Sequence, residues 1–209
     1  MESLIGDGLI AGVLDVTTTE LADEHVGGFL SAGPDRLTAA GKAGIPQVVS
    51  TGALDMANFY APESVPAQFK GRLFYKHNAN VTLMRTTPEE NTRIGASIAH
   101  KLSAARGPVA ILLPARGVSA IDKEGQPFDD PVARKALHDA IRSGLQQRLR
   151  PRRASEASRA AASGGGAPRA VIDVTELDLH INDPEFADAA ANKLLELMRM
   201  DVQPAGGTS

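Results

Sequence analysis

Five short, almost wholly apolar runs constrain this chain more than any other feature. They cover residues 9–16, 47–50, 73–75, 109–113 and 170–174. Each is too short for a helix with a core of its own. None alternates apolar with polar, as a strand with one wet face would. Such runs suit strands buried on both faces, the habit of parallel sheets. Between them lie stretches with helical spacing: 34–43, 88–104 (Ile94, Ile98 and Leu102 on one face), 131–149 (Val132, Ala136, Ala140 and Leu145) and 184–200 (Phe186, Ala190, Leu194, Leu197 and Met198). Short strands alternating with helices of this length predict βαβ units around a mainly parallel sheet of about five strands.

The helix starts are written out. Thr87-Pro88-Glu89-Glu90 reads as a capping box with Thr87 as N-cap, Pro88 at N1 and Glu90 at N3. Asp130-Pro131 and Asp183-Pro184 repeat the order of cap then proline, and Gly33-Pro34-Asp35 is a looser version. In a parallel sheet these starts follow the carboxyl ends of strands, where ligands usually bind. One domain is expected over 1–200, with a flexible basic insertion at 148–169 rich in Arg, Ala, Ser and Gly, and a disordered tail at 201–209.

Composition removes several functions. With no Cys among 209 residues there is no disulfide scaffold, thiolate metal site or Cys nucleophile. A net charge of -3 argues against bulk electrostatic binding of nucleic acid, and the absence of Trp argues against a base-stacking platform. No apolar run approaches the roughly 20 residues that span a bilayer. Met1-Glu2-Ser3-Leu4 lacks the order of a signal peptide, so a cytoplasmic location is expected. The five His lack metal-ligand spacing, and no metal site is expected.

Candidate chemistry clusters at strand ends. Thr17, Thr18 and Thr19 follow the first run and could bind a ligand or cap a helix beginning near Leu21. Ser31, Gly33 and Arg36 belong to a glycine-rich loop whose amides suit an anion, although it matches neither phosphate-loop nor dinucleotide fingerprint. Asn78 and Arg85 precede the capped helix; Arg85 could hold a phosphate or carboxylate, or pair with Glu89 or Glu90. Arg116 and Ser119 leave the fourth run. Asn182 lies beside His180 and Asp183, two candidates for a catalytic base. A structural hydrogen bond is the plainer reading of His180.

Taken together, several segments are more specific. They are Asp15-Val16-Thr17-Thr18-Thr19-Glu20, Gly28-Phe29-Leu30-Ser31-Ala32-Gly33-Pro34-Asp35-Arg36, Gly52-Ala53-Leu54-Asp55 and the stretch from Val81 to Asn91. The pattern continues through Leu113-Pro114-Ala115-Arg116-Gly117-Val118-Ser119 and Pro127-Phe128-Asp129-Asp130-Pro131 to His180-Ile181-Asn182-Asp183-Pro184-Glu185-Phe186-Ala187. The chain resembles the C-terminal half of the Tm-type tobamovirus-resistance-like, ATP-binding family, long catalogued as uncharacterised. The resemblance implies a Rossmann-like three-layer α/β sandwich, the second of two lobes, and a homo-oligomer. It also implies ATP, with Mg, as cofactor. The family's first lobe and its Gly-Thr-x-Asp-Thr-Lys stretch have no counterpart here, so a preceding lobe or a partner chain is expected to complete the site. The reading that follows is a lobe contributing to a nucleotide or small-anion site at an interface. The alternatives are an enzyme acting on a small carboxylate or phosphate with His180 or Asp183 as base, and a protein-interaction module without catalysis.

Overall fold

The structure, a computed structural model, describes residues 2–149 and 171–201. Its main sheet holds four parallel strands, β1 (Val13–Thr17), β2 (Gln47–Gly52), β6 (Val109–Pro114) and β7 (Ile172–Leu177), side by side in that order. A smaller antiparallel sheet, inserted between β2 and β6, is formed by β3 (Met56–Phe59), β4 (Phe74–Lys76) and β5 (Thr82–Arg85) in the order β3-β5-β4. The helices are α1 (Glu2–Gly6), α2 (Glu20–Val26), α3 (Ala39–Ala43), α4 (Pro88–Leu102), α5 (Pro131–Leu149) and α6 (Pro184–Asp201).

The central strands are buried along their whole length, as continuous apolar runs require. Successive residues face opposite ways. Val49, Ile111 and Leu113 pack with α2, α4 and α5 through Leu21, Ile94, Ile98, Leu137 and Ile141. Val48, Ala110 and Leu112 pack on the other face against Phe186, Ala190 and Leu197 of α6. Three layers result, a Rossmann-like sandwich. Helices α4 and α5 approach closely because glycines remove the obstructing side chains. A Cβ on Gly95 would lie 2.6 Å from the Leu137 carbonyl oxygen, and one on Gly144 would lie 2.7 Å from the Ala99 methyl.

The parallel sheet has four strands rather than five. The run at 73–75 does become a strand, but it turns back on β5 through a short connection and joins the antiparallel sheet. Its residues are only partly covered, and Leu73 is exposed, so it lacks the two-sided burial of a parallel strand. The helix expected at 34–43 shortens to Ala39–Ala43 because Leu37 takes a left-handed φ of 75°, which interrupts the helical path. The capping box of Thr87 and Glu90 is present, and Asp130 Oδ1 accepts the Val132 and Ala133 amides at 3.0 and 2.9 Å. Helix α5 includes Arg148; the rest of the proposed insertion (150–169) and residues 202–209 of the tail lie outside the described residues. Among the described residues no helix is long and apolar enough to cross a membrane.

Candidate functional site

The loops leaving β1, β2, β6 and β7 meet along the carboxyl edge of the parallel sheet and are stitched together by the backbone. The Thr18 amide donates to Gly52 O, the Ala53 amide to Val118 O and the Ile181 amide to Gly117 O. Gly117 makes the last contact possible: with φ at 132°, a Cβ there would lie 1.8 Å from Asp122 O and 2.7 Å from the His180 ring.

The expected ligand residues divide into two centres and a pair of outlying loops. At the end of β1, the buried Arg36 forms a fork with Asp15 at 2.5 and 2.8 Å, and its Nε lies 3.3 Å from Glu20. Asp15 is the leading reason its guanidinium is held above the ordinary arginine range. Its Nη2 also reaches the Thr17 carbonyl at 3.4 Å, while Thr17 itself is exposed. Thr18 is buried and donates to Ser50 O at 3.0 Å, and Thr19 accepts from Asn58 Nδ2 at 3.1 Å. Ser31 is exposed and donates to the Glu24 carboxylate, while its Oγ takes the Gly33 amide. Gly33 has a φ of 82°. Asn78 is exposed between β4 and β5, its Oδ1 accepting the Asn80 amide at 2.8 Å.

The second centre lies under the β6 and β7 loops. Arg85 is buried. Its Nη2 donates to Asp122 Oδ1 at 3.3 Å, and its Nη1 donates to Asp55 O and Thr86 Oγ1 at 3.0 and 3.1 Å. Glu90, by contrast, pairs with Arg72 at 2.8 Å. Asp122 also accepts from Arg134 Nη1 at 2.8 Å and from the Val118 amide at 3.0 Å. Ser119 Oγ donates to Asp55 Oδ2 at 2.8 Å, while Asp55 Oδ1 is buried without a hydrogen-bond partner. Burial, and then the neighbouring Asp122 charge, push the Asp55 carboxyl up to about 7.

Above this buried centre opens a cavity of about 710 Å³, lined by Arg116, Lys123, Glu124, Asp129, Arg134, His180 and Asp183 among others. It brings together three of the expected residues: Arg116, His180 and Asp183. Arg116 is exposed and holds Asp178 in a two-point pair at 2.8 and 2.7 Å, which keeps that carboxyl below its usual range. His180 is 5% exposed, and both ring nitrogens are engaged. Nε2 faces Ser119 O at 2.9 Å and Nδ1 accepts the Asn182 amide at 3.1 Å. With Nδ1 accepting, Nε2 is the nitrogen that donates to the Ser119 carbonyl. Asn182 exposes its side chain, and Asp183 Oδ2 accepts the His180 amide at 2.7 Å. Among the described residues no group of three or more His, Asp or Glu is arranged to hold a metal ion.

Sequence reasoning did not single out Asp55, Asp122, Lys123 or Arg134. A signal existed for Arg134. It stands in the first turn of α5, where the helix dipole disfavours a cation, so its carboxylate partners Asp122 and Asp129 compensate.

Comparison with known proteins shows the family. Residues 1–161 match the family described as Uncharacterised protein family (UPF0261) C-terminal domain. A UPF0261 protein of Rhizobium meliloti is 47% identical over 190 residues, covering 91% of this chain and 42% of the relative. One from Clostridium tetani is 47% identical over 198 residues, with 95% and 44% covered. The tomato ToMV resistance protein Tm-1(GCR237) is 38% identical over 213 residues, with 100% and 26% covered. The chain thus spans less than half the length of these relatives. On this sequence similarity, it belongs to the UPF0261 family and corresponds to that family's C-terminal domain.

Proposed function

We propose that this domain supplies one wall of a small-anion site, with a nucleotide phosphate as the leading ligand class, and that another lobe or subunit closes the site. The observation that carries the reading is the cavity at the carboxyl edge of β6 and β7, where Arg116, Lys123 and Arg134 converge beside the start of α5. Its volume falls in the range of ligand sites, and its position is the usual one for an open parallel sheet. Lys123 has no carboxylate partner among the described residues. Arg116 is paired only at the surface, where such a pair is easily exchanged for a ligand anion. Arg36 and Arg85 do different work, since buried carboxylates already neutralise them.

ATP with Mg fits this donor set in one respect: the exposed Arg116 and Lys123 would take phosphate oxygens, Arg134 staying with its buried partner Asp122, and Glu124, Asp129 and Asp183 would face the metal's hydration shell. Magnesium there would supply charge neutralisation of the phosphates. The longer relatives leave room for a second lobe to complete the site. The test is thermal unfolding with and without millimolar ATP and Mg, repeated with inorganic phosphate and pyrophosphate. A ligand at 100 times its Kd adds about 2.7 kcal/mol, which appears as several degrees. Stabilisation that Lys123→Ala and Arg116→Ala both diminish supports the reading. Stabilisation that neither variant alters removes this cavity from it, and so does the absence of any shift when the relatives' preceding lobe is also added.

An enzyme reading draws on the same cavity, because His180 and Asp183 both line it. For His180 to act as base, Nδ1 must give up the Asn182 amide. A pH–rate profile on phosphate esters that His180→Gln leaves unchanged would end that reading.

A further inference from the structure

The antiparallel sheet carries a second cavity, with no arginine among its lining residues. One face of this sheet packs through Met56 and Leu83 on Phe128, with Tyr75 partly buried alongside. The other face carries Ala57, Phe59, Met84 and Phe74. It is roofed by Phe69, Val65 and Val26, with Val65 and Phe69 supplied by the segment around two short 3₁₀ turns, Pro62–Ser64 and Ala67–Phe69. The roof stops short of the Lys76–Thr82 end of the sheet. There it leaves a cavity of about 450 Å³ walled by Val65, Pro66, Ala67 and Phe74, with Lys70, Lys76 and Thr82 among its lining residues.

Two observations give this cavity a charge preference. Lys42, Lys135 and Lys193 each hold a carboxylate, whereas Lys70 and Lys76 have no such partner among the described residues. Both are exposed side chains lining the same apolar space, one from the roof and one from β4. The Thr82 hydroxyl, in the strand that pairs with Lys76, is buried with no hydrogen-bond partner. A buried polar group is normally satisfied, so an unsatisfied one in a cavity wall is a place for a ligand's acceptor.

We propose that this cavity binds an amphipathic anion, a compact hydrocarbon body carrying one carboxylate. The body would fill the Val65–Phe74 space while Lys70 and Lys76 hold the carboxylate. The volume suits a ligand of small-molecule size. This site is separate from the phosphate cavity and uses none of its residues.

Anilinonaphthalene sulfonate is titrated onto the folded chain and then displaced with octanoate or with octanol. The expected result is saturable binding that octanoate competes for strongly and octanol weakly. Lys70→Glu with Lys76→Glu should weaken octanoate by about tenfold, the combined worth of two partly exposed charge contacts. Lys42→Glu with Lys135→Glu, equal in net charge, should leave it unchanged. Ala67→Trp, at an exposed rim position, should fill the cavity and abolish binding without unfolding the chain. Equal competition by octanol overturns the proposal, as does unchanged binding in the Lys70 and Lys76 variant. Self-association that Ala67→Trp abolishes also overturns it, by giving the cavity to a second copy.

Discussion

Asp23 and Asp55 are both buried carboxylates without an arginine or lysine of their own, yet they do opposite things. Asp23 is fully used. Its Oδ1 takes the Asn58 amide at 2.6 Å and its Oδ2 takes Asn58 Nδ2 at 2.7 Å, so one residue of β3 is clamped to α2. Burial raises its carboxyl to about 6, with the Asn58 hydrogen bonds holding it back. Asp55 has one donor, Ser119, a second oxygen with none, and Asp122 as a neighbour of like charge. It ends higher, at about 7. Hydrogen bonds make Asp23 a fastener. Their scarcity leaves Asp55 a group carried at a free-energy cost, joined through Ser119 to the loop on which His180, a residue of the candidate anion cavity, also rests.

The largest effect is expected where the Asp55 surroundings are dismantled. Asp122→Ala removes the acceptor shared by Arg85, Arg134 and the Val118 amide. Removing one partner of a buried ion pair strands the others, at a cost of about 3–5 kcal/mol. Urea unfolding measures that loss directly. In the folded variant, carbon-detected titration should show Asp55 moving down toward the Asp23 value. An unchanged unfolding midpoint would mean that the two arginines re-pair, and the contrast between the two centres would weaken.

The Asp23 side breaks through a glycine. A Cβ on Gly28 would lie 1.5 Å from Asp23 Oδ1 and 2.9 Å from Asn58 O. Gly28→Ala must therefore push the clamp apart, and about 2–3 kcal/mol of destabilisation is expected. Gly27→Ala is the contrast: its left-handed φ of 95° resists a side chain, but nothing occupies the space, so only about 1 kcal/mol is expected. Two variants equal in thermal stability would show that Asp23 yields without resistance.

The parallel sheet was legible because its strands are chemically simple. Val109 to Leu113 is apolar on both faces, and Thr87, Asp130 and their prolines mark two helix starts unambiguously. The antiparallel sheet was not, because two of its strands bury polar residues. Asn58 in β3, and Thr82 and Arg85 in β5, interrupt any apolar run and obey no alternation. The candidate residues failed to merge into one site for a related reason. An arginine at a strand end announces a charge, but its partner is invisible: Asp15 precedes Arg36 by 21 residues, and Asp122 follows Arg85 by 37. Arg116, His180 and Asp183 could be placed together because each follows a central or edge strand whose end the sequence marks. The cavity they line also needs Arg134, which only tertiary packing brings there.

The finest test of the comparison is the pH dependence of stability. Both carboxyls sit above the unfolded value of 3.8, so the native state binds more protons than the unfolded state between that value and the folded one. Stability therefore falls as pH rises through this window and flattens above it. Asp23 contributes up to about pH 6 and Asp55 up to about pH 7. The interval between pH 6 and 7 thus belongs mainly to Asp55, and the fall across it is about 1 kcal/mol, because the carboxyl is only partly protonated there. His25 and His138, both lowered by burial, contribute with the opposite sign up to the unfolded value of 6.5. They are untouched by substitution at either aspartate, so subtracting the wild-type curve cancels them. Asp55→Asn keeps an acceptor for Ser119 and should erase the fall between pH 6 and 7, whereas Asp23→Asn should leave it in place. If Asp23→Asn erases that interval instead, hydrogen bonding rather than the Asp122 charge orders the two carboxyls, and the roles assigned to them exchange.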